Sequence, residues 1–391
     1  MSKAYILAAY RTPGCKANKG KFKDTRPDDL AAAVIKGAIE GSGIDASTID
    51  DVILGCAFPE GEQGMNVARV ASFKAGLPIQ VPGQTINRFC SSGLQTIAIA
   101  AAMIQSGNGD CILAGGVESM SCVPMGGNKY SANPTLVGDW PETYAAMGTT
   151  AELVAEKYSI TRDSMDQFAY ESHQKAGAAI ENNKFKDEII PVDIENVSIR
   201  KNKVHKEVET VSIDDGVRFD TSVDSLGKLK PAFKQNGTVT AGNSSQITDG
   251  AAAVFVVSEK YLKSTGLKPI AEFISFAVRG CKPEIMGIGP VVAIPLALEK
   301  AGLKKKDIGL IELNEAFASQ SLAVIKELQL DPSIINVNGG AIALGHPLGC
   351  TGSKLTATLL HEMNRRKVEY GMVSMCIGGG MGAAGIFKSI Q

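Results

Sequence analysis

Residues 85–94 read Thr85-Ile86-Asn87-Arg88-Phe89-Cys90-Ser91-Ser92-Gly93-Leu94, and they join a strand-like segment to a helix. The next segment, 95–104, is apolar nearly all round and is closed by Gly107, a common helix stop. A helix without a polar face is expected to be buried. The small polar residues after Cys90 suit the first helical turn, where free backbone N–H groups need partners. We therefore expect Cys90 on a strand-to-helix turn, at the positive end of a buried helix dipole.

A thiol at that position gains some acidity, but too little to act alone. A free cysteine with a pKa of about 8.5 is only a few per cent thiolate at neutral pH. The helix terminus contributes about 0.3–1 kcal/mol, or about 2 kcal/mol when buried, which lowers the pKa by at most roughly one and a half units. A reactive Cys90 would therefore need a base. The alternative is an inert cysteine, because free cysteines are among the most buried residues.

The composition narrows the class of protein. The 391 residues suggest two or three structural units rather than one core. Hydrophobic residues make up 44% and charged residues 21%, which is ordinary for a globular protein in water. The net charge is −1, so neither nucleic acid nor an anionic membrane is expected as a main partner.

The cysteines and the ends of the chain bear on metal binding and location. The eight cysteines and four histidines show neither a C-x-x-C pair nor zinc-like spacing, so no metal site is expected. Reduced thiols in an intracellular protein are the simplest interpretation. No apolar run is long enough for a membrane span, and the first residues read as a strand rather than a signal peptide. The last residues are not a peroxisomal address, so we expect a cytoplasmic protein.

Predicted strands and helices alternate through two stretches of the chain, which is the pattern of a parallel sheet. Between them, residues 119–248 lose that pattern and include a long charged run, which predicts an inserted loop domain on the surface. The basic residues from Arg11 to Arg26 are likewise expected to be solvated. Strands are expected at residues 4–9, 51–56, 111–115, 251–258, 270–278, 308–313, 334–338, 371–376 and 383–388. Helices are expected at residues 28–40, 66–75, 95–104, 291–300, 316–328 and 350–366.

Both stretches have the order βαβαβαββ, which indicates an internal duplication in an α/β protein. Local likeness supports it: residues 90–94 match 349–353, and residues 114–116 match 377–379. Two equivalent helices would then face each other across a pseudo-twofold axis. The chain divides accordingly into residues 1–268, which hold the insertion at 119–248, and residues 269–391.

One histidine stands apart as a candidate base for Cys90. His346 lies in the loop 336–349 among small residues, and Pro347 restricts it to an extended backbone. The alternative is a loop histidine with a structural hydrogen bond. With such a base beside it, Cys90 is expected to carry a raised thiolate fraction. The remaining histidines lie in polar contexts and are expected to be solvated: His173, His205 and His361.

Two further candidates lie at the ends of predicted strands. Cys376 precedes the glycine hairpin 378–382. The glycines there could be interpreted as a nucleotide loop, but the chain ends before a βαβ unit could form. Asn314 lies at a strand-to-helix turn, where its side chain is either a helix cap or an active-site donor.

Four motifs in this order and at these separations resemble the thiolases, and the resemblance covers essentially the whole chain. Residues 59–64 and 87–93 resemble the 3-ketoacyl-CoA thiolases more than the biosynthetic acetoacetyl-CoA type. The resemblance implies a thiolase fold with αβαβα layers. The four motifs are Cys90-Ser91-Ser92-Gly93, Asn314-Glu315-Ala316-Phe317, Gly345-His346-Pro347-Leu348-Gly349 and Cys376-Ile377-Gly378-Gly379-Gly380.

The resemblance implies thiolysis of a 3-ketoacyl-CoA by CoA in fatty-acid β-oxidation. The alternative within the family is an acetoacetyl-CoA thiolase that works in the biosynthetic direction. Cys90 would be the nucleophile, His346 the base, and Cys376 the acid that protonates the enolate of acetyl-CoA. One oxyanion would be stabilised by His346 with a water held by Asn314, and the other by the N–H groups of Cys90 and Gly378.

The resemblance also implies that coenzyme A is a substrate, held against the insertion, and that no cofactor is needed. Contacts with CoA are expected at Arg218, Ser225 and Ser245, with Met147 and Met286 along the pantetheine tunnel. A solvated arginine and core methionines are the simpler alternatives. A homodimer or homotetramer is expected.

Three functions outside the family remain to be distinguished. A ketoacyl synthase would also use a cysteine on such a turn, but it would lack the second cysteine, Cys376. A non-catalytic acyl-CoA-binding protein of the same fold would not need Cys90, His346 and Cys376. A cysteine hydrolase would cleave esters without CoA.

Overall fold

The computed structural model describes residues 2–200 and 203–390. Among these residues the strands are β1 (Ala4–Arg11), β2 (Cys15–Lys16), β3 (Asp51–Gly55), β4 (Gly83–Ile86), β5 (Cys111–Ser119), β6 (Val192–Arg200), β7 (Lys203–Val211), β8 (Thr248–Ser258), β9 (Ala271–Gly280), β10 (Leu310–Leu313), β11 (Tyr370–Ile377) and β12 (Met381–Ser389). The α-helices are α1 (Pro27–Ser42), α2 (Val67–Ala75), α3 (Ser92–Ser106), α4 (Pro134–Asp139), α5 (Met147–Lys157), α6 (Arg162–Glu181), α7 (Val223–Gly227), α8 (Glu259–Thr265), α9 (Gly289–Ala301), α10 (Ala318–Leu328), α11 (Ala341–Leu344) and α12 (Thr351–Arg366).

One mixed sheet runs through both halves, with the strands in the order β10-β11-β12-β9-β1-β8-β5-β3-β4 and with β2 paired to β8. The pairs β3–β4, β3–β5 and β10–β11 are parallel, and the others in this sheet are antiparallel. The two halves meet where β1 pairs with β9, at Tyr5–Glu272 and Ile6–Ala271. The strands β6 and β7 form a separate hairpin.

Three apolar clusters set the order of the layers. One cluster packs α1 and α2 against the N-terminal half of the sheet, and another packs α9 and α10 against the C-terminal half. Between them, α3 and α12 share a third cluster with strands of both halves. The apolar sequence of α3 is explained by this position, because sheet residues from both halves cover it. The predicted layered α/β fold is confirmed.

The predicted pseudo-twofold axis lies where α3 and α12 cross. A Cβ atom on Gly93 would lie 2.7 Å from the backbone nitrogen of Ser353, and one on Gly352 would lie 2.2 Å from that of Leu94. These contacts are reciprocal, because the same sequence separation relates Gly93 to Gly352 and Leu94 to Ser353. Only glycine lets the two backbones approach so closely at this crossing.

The same separation relates longer parts of the two halves. It joins Cys90 to Gly349, and the strand pairings agree with it, since Asp51 pairs with Ile112 as Leu310 pairs with Gly371. The predicted match of residues 114–116 with 377–379 does not follow this separation and is wrong. Residues 114–116 lie within β5, whereas residues 378–380 form the turn between β11 and β12.

The strand expected at residues 334–338 is absent from the described structure. Ile335 makes a single parallel bridge with Ile311, after a short 3₁₀ turn at Pro332–Ile334. Asn336 adopts a φ of 46°, which no strand accommodates. Its side-chain amide instead accepts from Leu313 N–H at 2.8 Å and donates to Leu313 C=O at 2.8 Å. The side chain of Asn336 therefore makes the hydrogen bonds to β10 that the backbone of the predicted strand would make.

The prediction of a solvated Arg11 is also wrong, because this side chain is 1% exposed. Its Nε lies 2.7 Å from Glu188 Oε1, and its two terminal nitrogens lie 2.7 and 2.9 Å from the Asp214 carboxylate. A buried guanidinium is tolerated when carboxylates and hydrogen bonds compensate it in this way. The network ties β1 to the region 119–248. No helix in residues 2–200 and 203–390 is long and apolar enough to cross a membrane.

Candidate active site

Cys90 lies on a 3₁₀ turn, Phe89–Ser91, that leads directly into α3. Phe89 has a φ of 44°, a left-handed conformation that costs a bulky residue about 1–3 kcal/mol and often marks a functional site. The hydroxyl of Ser92 holds this turn, because it accepts from Arg88 N–H at 2.8 Å and donates to Phe89 C=O at 2.6 Å. The predicted strand-to-helix turn is confirmed.

The Cys90 thiol is buried, and its immediate backbone favours the thiolate. The N–H groups of Gly378 and of Cys90 itself both act to lower its pKa. Burial nevertheless raises the pKa of the Cys90 thiol to about 11, because desolvation of the thiolate outweighs these two influences. The prediction of a raised thiolate fraction is therefore wrong. A base must remove the proton as the sulfur attacks.

His346 is buried and held on both ring nitrogens. Its Nδ1 lies 2.6 Å from Thr351 Oγ1, and its Nε2 lies 3.3 Å from Asn314 Nδ2. In both contacts the ring nitrogen can donate or accept, according to the tautomer. Burial, assisted by the charge of Lys354, lowers the pKa of His346 to about 3. The ring is therefore a neutral imidazole, with one nitrogen that can accept a proton.

Lys354 supports the histidine from α12, although in the sequence it is one polar residue on a predicted helix and gives no functional signal. It is 4% exposed, and its Nζ donates to Leu344 C=O at 3.1 Å and to Gly345 C=O at 3.2 Å. These are the two residues that precede His346. Lys354 thus fixes the backbone that carries the histidine and adds the charge that keeps its ring neutral.

The second cysteine lies at the end of β11, against the same turn. Cys376 is fully buried, and burial followed by the charge of Cys90 raises its pKa well above the ordinary value. The Phe89–Ser91 turn packs against β11 and against the 3₁₀ turn Leu348–Cys350 that follows His346. The structure therefore brings the motifs of both halves together around Cys90.

The residues expected to contact CoA fall into two groups. Met147 and Met286 share an apolar cluster with Cys376. A Cβ atom on Gly378 would lie 3.7 Å from Met147 Sδ. Ser245 lies next to the Asn314 turn, where its N–H donates to Ala316 C=O at 3.0 Å.

Arg218 and Ser225 lie on exposed backbone of the region 119–248. The hydroxyl of Ser225 accepts from Ser222 N–H in a helix cap at the start of α7. Arg218 donates its N–H to His173 Nδ1 at 3.1 Å. His173 is 3% exposed, so its predicted solvation is wrong, and burial followed by the charge of Arg218 lowers its pKa to about 4. A neutral His173 thus supports the backbone at Arg218.

The raised pKa of Cys90 predicts the pH dependence of its alkylation. Because the thiolate fraction grows until the pH reaches about 11, the rate of iodoacetamide modification should rise about tenfold per pH unit between roughly pH 7 and pH 9. An exposed thiol would begin to level off near its ordinary pKa of about 8.5. Mass spectrometry of the Cys90 peptide measures the rate, with glutathione in the same solution as the exposed-thiol control. A Cys90 rate that stays constant from pH 6 to 8 would indicate a preformed thiolate.

Comparison with known proteins agrees with this geometry. The family models "Thiolase, N-terminal domain" and "Thiolase, C-terminal domain" match residues 4–260 and 267–389. The 3-ketoacyl-CoA thiolase of Bacillus subtilis (strain 168) is 54% identical over 391 residues, which cover 99% of this chain and 100% of that protein. The peroxisomal 3-ketoacyl-CoA thiolase 5 of Arabidopsis thaliana is 50% identical over 98% of this chain and 84% of its own length.

Two solved structures share the fold over all of this chain and 99% of theirs, each at 40% identity. They are human mitochondrial 3-ketoacyl-CoA thiolase, with a TM-score of 0.90, and Bacillus anthracis acetyl-CoA acetyltransferase, with a TM-score of 0.91. Both the sequence models and the structures therefore agree over the whole chain. The chain belongs to the thiolase family.

Proposed function

We propose that this protein cleaves 3-ketoacyl-CoA with CoA to acetyl-CoA and a shortened acyl-CoA, as an acyltransferase of fatty-acid β-oxidation. The observation that carries the proposal is the packing of the turn that holds the buried Cys90. This turn packs against the turn Leu348–Cys350 that follows His346, and against β11, near whose end lies a second buried thiol, Cys376. A single nucleophile needs no second thiol, but cleavage of a carbon–carbon bond needs a separate acid for the carbanion. The names of the similar proteins point to the same reaction.

In the first half-reaction, the Cys90 sulfur attacks the 3-keto carbon while His346 takes the thiol proton. The carbon–carbon bond then breaks, and its electron pair passes to the α-carbon of acetyl-CoA as an enolate. Cys376 protonates that carbon. One oxyanion is stabilised by the N–H groups of Cys90 and Gly378, and the other by His346 with a water held by Asn314.

Between the half-reactions, the proton on His346 passes to the Cys376 thiolate, which restores a neutral imidazole and a neutral thiol. In the second half-reaction, His346 takes the proton from the thiol of an incoming CoA. The CoA sulfur attacks the acyl-thioester carbon, a new thioester forms, the bond to Cys90 breaks, and the Cys90 thiolate takes the proton back from His346. The neutral imidazole required for this step agrees with the lowered pKa of His346.

The chain divides into an N-terminal half, residues 1–268, and a C-terminal half, residues 269–391. The loop domain at residues 119–248 belongs to the N-terminal half and holds the CoA substrate. Met147 and Met286 line the pantetheine tunnel, which their shared cluster with Cys376 supports. Arg218, Ser225 and Ser245 contact the rest of CoA. The exposed Arg218 and the neighbouring Lys16 give that side of the loop domain positive charge.

Removing the charge at Arg218 tests this binding surface. Arg218→Ala should raise the KM for CoA while kcat changes little, because an interaction made equally in ground and transition states is lost. An exposed charge contact is worth about 0.2–1 kcal/mol, so KM should rise by roughly a factor of up to five. Steady-state kinetics with CoA varied measure both constants, and Lys300→Ala on α9 serves as the matched charge control. An unchanged KM would make Arg218 an ordinary surface residue.

Thiolysis rates across a series of 3-ketoacyl-CoA chain lengths test the function itself. We expect activity on substrates longer than acetoacetyl-CoA. Activity confined to acetoacetyl-CoA would favour the biosynthetic alternative in this family. Ester cleavage without CoA would indicate a hydrolase, and acyl-CoA binding without turnover a non-catalytic protein.

We also propose a cytoplasmic homodimer, formed through the outer edge of β4. This strand ends the sheet, so among the described residues no further strand pairs with that edge. The neighbouring segments expose large apolar side chains: Met65 at 96%, Phe73 at 52% and Ile79 at 73%. An unpaired edge beside apolar surface is expected to be covered in solution. Light scattering should therefore give twice the chain mass, or four times in a tetramer, and a monomer would overturn the proposal.

A further inference from the structure

A buried carboxylate that the proposed mechanism does not use lies beside the active site. Glu118, near the end of β5, is fully buried. Its Oε2 accepts from the backbone N–H groups of Ala57 and Gly349, both at 2.7 Å. Its Oε1 accepts from Phe58 N–H at 3.3 Å and from Gln63 Nε2 at 2.8 Å. Burial raises the pKa of Glu118, but the four N–H donors around its two oxygens lower it and favour the ionised form, because a carboxylic acid proton would face another donor.

The internal duplication shows what this position corresponds to. The sequence separation that relates Cys90 to Gly349 also relates Gly378 to Ser119, and Ile377 to Glu118. The turn at Gly349 and the end of β5 are therefore the counterpart of the turn at Cys90 and the end of β11. A Cβ atom on Gly349 would lie 2.7 Å from Glu118 Oε2. The carboxylate thus occupies the space that corresponds to the Cys90 side chain.

We propose that Glu118 is a positioning residue, an internal anion that fills the duplicate of the catalytic site and fixes the turn Leu348–Cys350 behind His346. The bond to Gly349 N–H joins the C-terminal half to strand ends of the N-terminal half. Leu348 on the same turn packs in one cluster with Cys90. Loss of the anion should therefore shift His346 relative to the Cys90 sulfur, and a displacement of about 1 Å can cost roughly 10²-fold in rate.

Chemical rescue tests this role, which rests on the proposed thiolase activity. Glu118→Ala removes a CH₂–COO⁻ group and leaves its N–H donors around an empty space. We expect kcat for thiolysis to fall by roughly 10²-fold, with a smaller change in KM. Added acetate should restore kcat about tenfold and saturably, because its carboxylate accepts from the N–H donors that Glu118 leaves unpaired. Sodium chloride at equal ionic strength should not restore it.

The control is Glu312→Ala on β10, which also removes a buried carboxylate. Glu312 Oε1 has no hydrogen-bond partner, so acetate should leave that variant unchanged. A wild-type kcat in Glu118→Ala, or a folded variant that does not respond to acetate, would overturn the proposal. If Glu118→Ala does not fold, the variant Glu118→Gln tests the positioning role instead. Its amide N–H₂ faces other donors, so kcat should fall about tenfold without rescue by acetate, whereas a wild-type kcat contradicts the role.

A binding measurement separates this inference from the proposed function. Acetate should raise the melting temperature of Glu118→Ala but not that of the wild-type protein, because binding to the folded state alone stabilises it. An inactive wild-type protein in which acetate still stabilises Glu118→Ala would refute the proposed function and keep the anion site. An active wild-type protein whose Glu118→Ala variant is neither rescued nor stabilised would do the reverse.

Discussion

Cys376→Ala should abolish thiolysis of 3-ketoacyl-CoA and still exchange labelled CoA into acetyl-CoA. Carbon–carbon cleavage delivers a proton to the α-carbon of acetyl-CoA, whereas exchange of an acetyl group between CoA and Cys90 involves no proton at that carbon. Loss of a general acid typically costs about 10²–10⁴-fold, so the thiolysis rate should fall by that factor. Exchange should stay within a few-fold of wild type. The two rates are measured on one preparation.

The matched control is Cys281→Ala, because Cys281 is a partly exposed cysteine whose charge also raises the pKa of Cys376. Both of its activities should be retained. Equal loss of exchange and thiolysis in folded Cys376→Ala would refute the assignment. Cys376 would then belong to the machinery of the nucleophile or to the packing beneath it.

Cys90→Ala should lose thiolysis and exchange together, because both reactions pass through the acyl-thioester on this sulfur. Removal of a catalytic nucleophile costs roughly 10⁴–10⁶-fold. The variant should still bind acyl-CoA, since the loop domain is untouched, and equilibrium binding measures this. Cys122→Ser, at a partly exposed cysteine, should keep both activities. Measurable exchange in Cys90→Ala would place the acyl group on another residue.

The elements around Cys90 could be predicted because their signals are local. An apolar segment closed by Gly107 gives α3, and small polar residues give its first turn, as observed. The duplication is visible in the sequence at residues 90–94, because the close crossing of α3 and α12 requires a glycine at the same position of each half. The match at residues 114–116 failed because a Gly-Gly pair occurs in both a strand and a turn. Glycine identity alone does not distinguish these environments.

The failures arose where distant partners decide the structure. The sequence predicts a solvated Arg11, because its acidic partners lie 177 and 203 residues further along the chain and give no local signal. The strand at residues 334–338 was lost to an asparagine side chain that binds the backbone of β10. The ionisation of Cys90 could not be predicted either, since burial is a tertiary property that outweighs the local helix dipole.

The groups that support the site were missed for a related reason. A lysine on a helix and a glutamate at a strand end are ordinary in sequence, and Lys354 and Glu118 become notable only when the donors and acceptors around them are known. For Glu118, the sequence signal is the comparison with Ile377, the equivalent position in the other half. An acid stands in one half where an apolar residue stands in the other. That comparison requires the correct alignment of the halves, which the strand pairings provide.

The central claim is that the acyl group is carried on the Cys90 sulfur. Wild-type protein incubated with radiolabelled acetyl-CoA, quenched in acid and digested, should carry one acetyl group per active site on the peptide that contains Cys90. The label should be released by added CoA. Label on the peptide that contains Cys376, or rapid thiolysis with no label retained on the protein, would contradict the account.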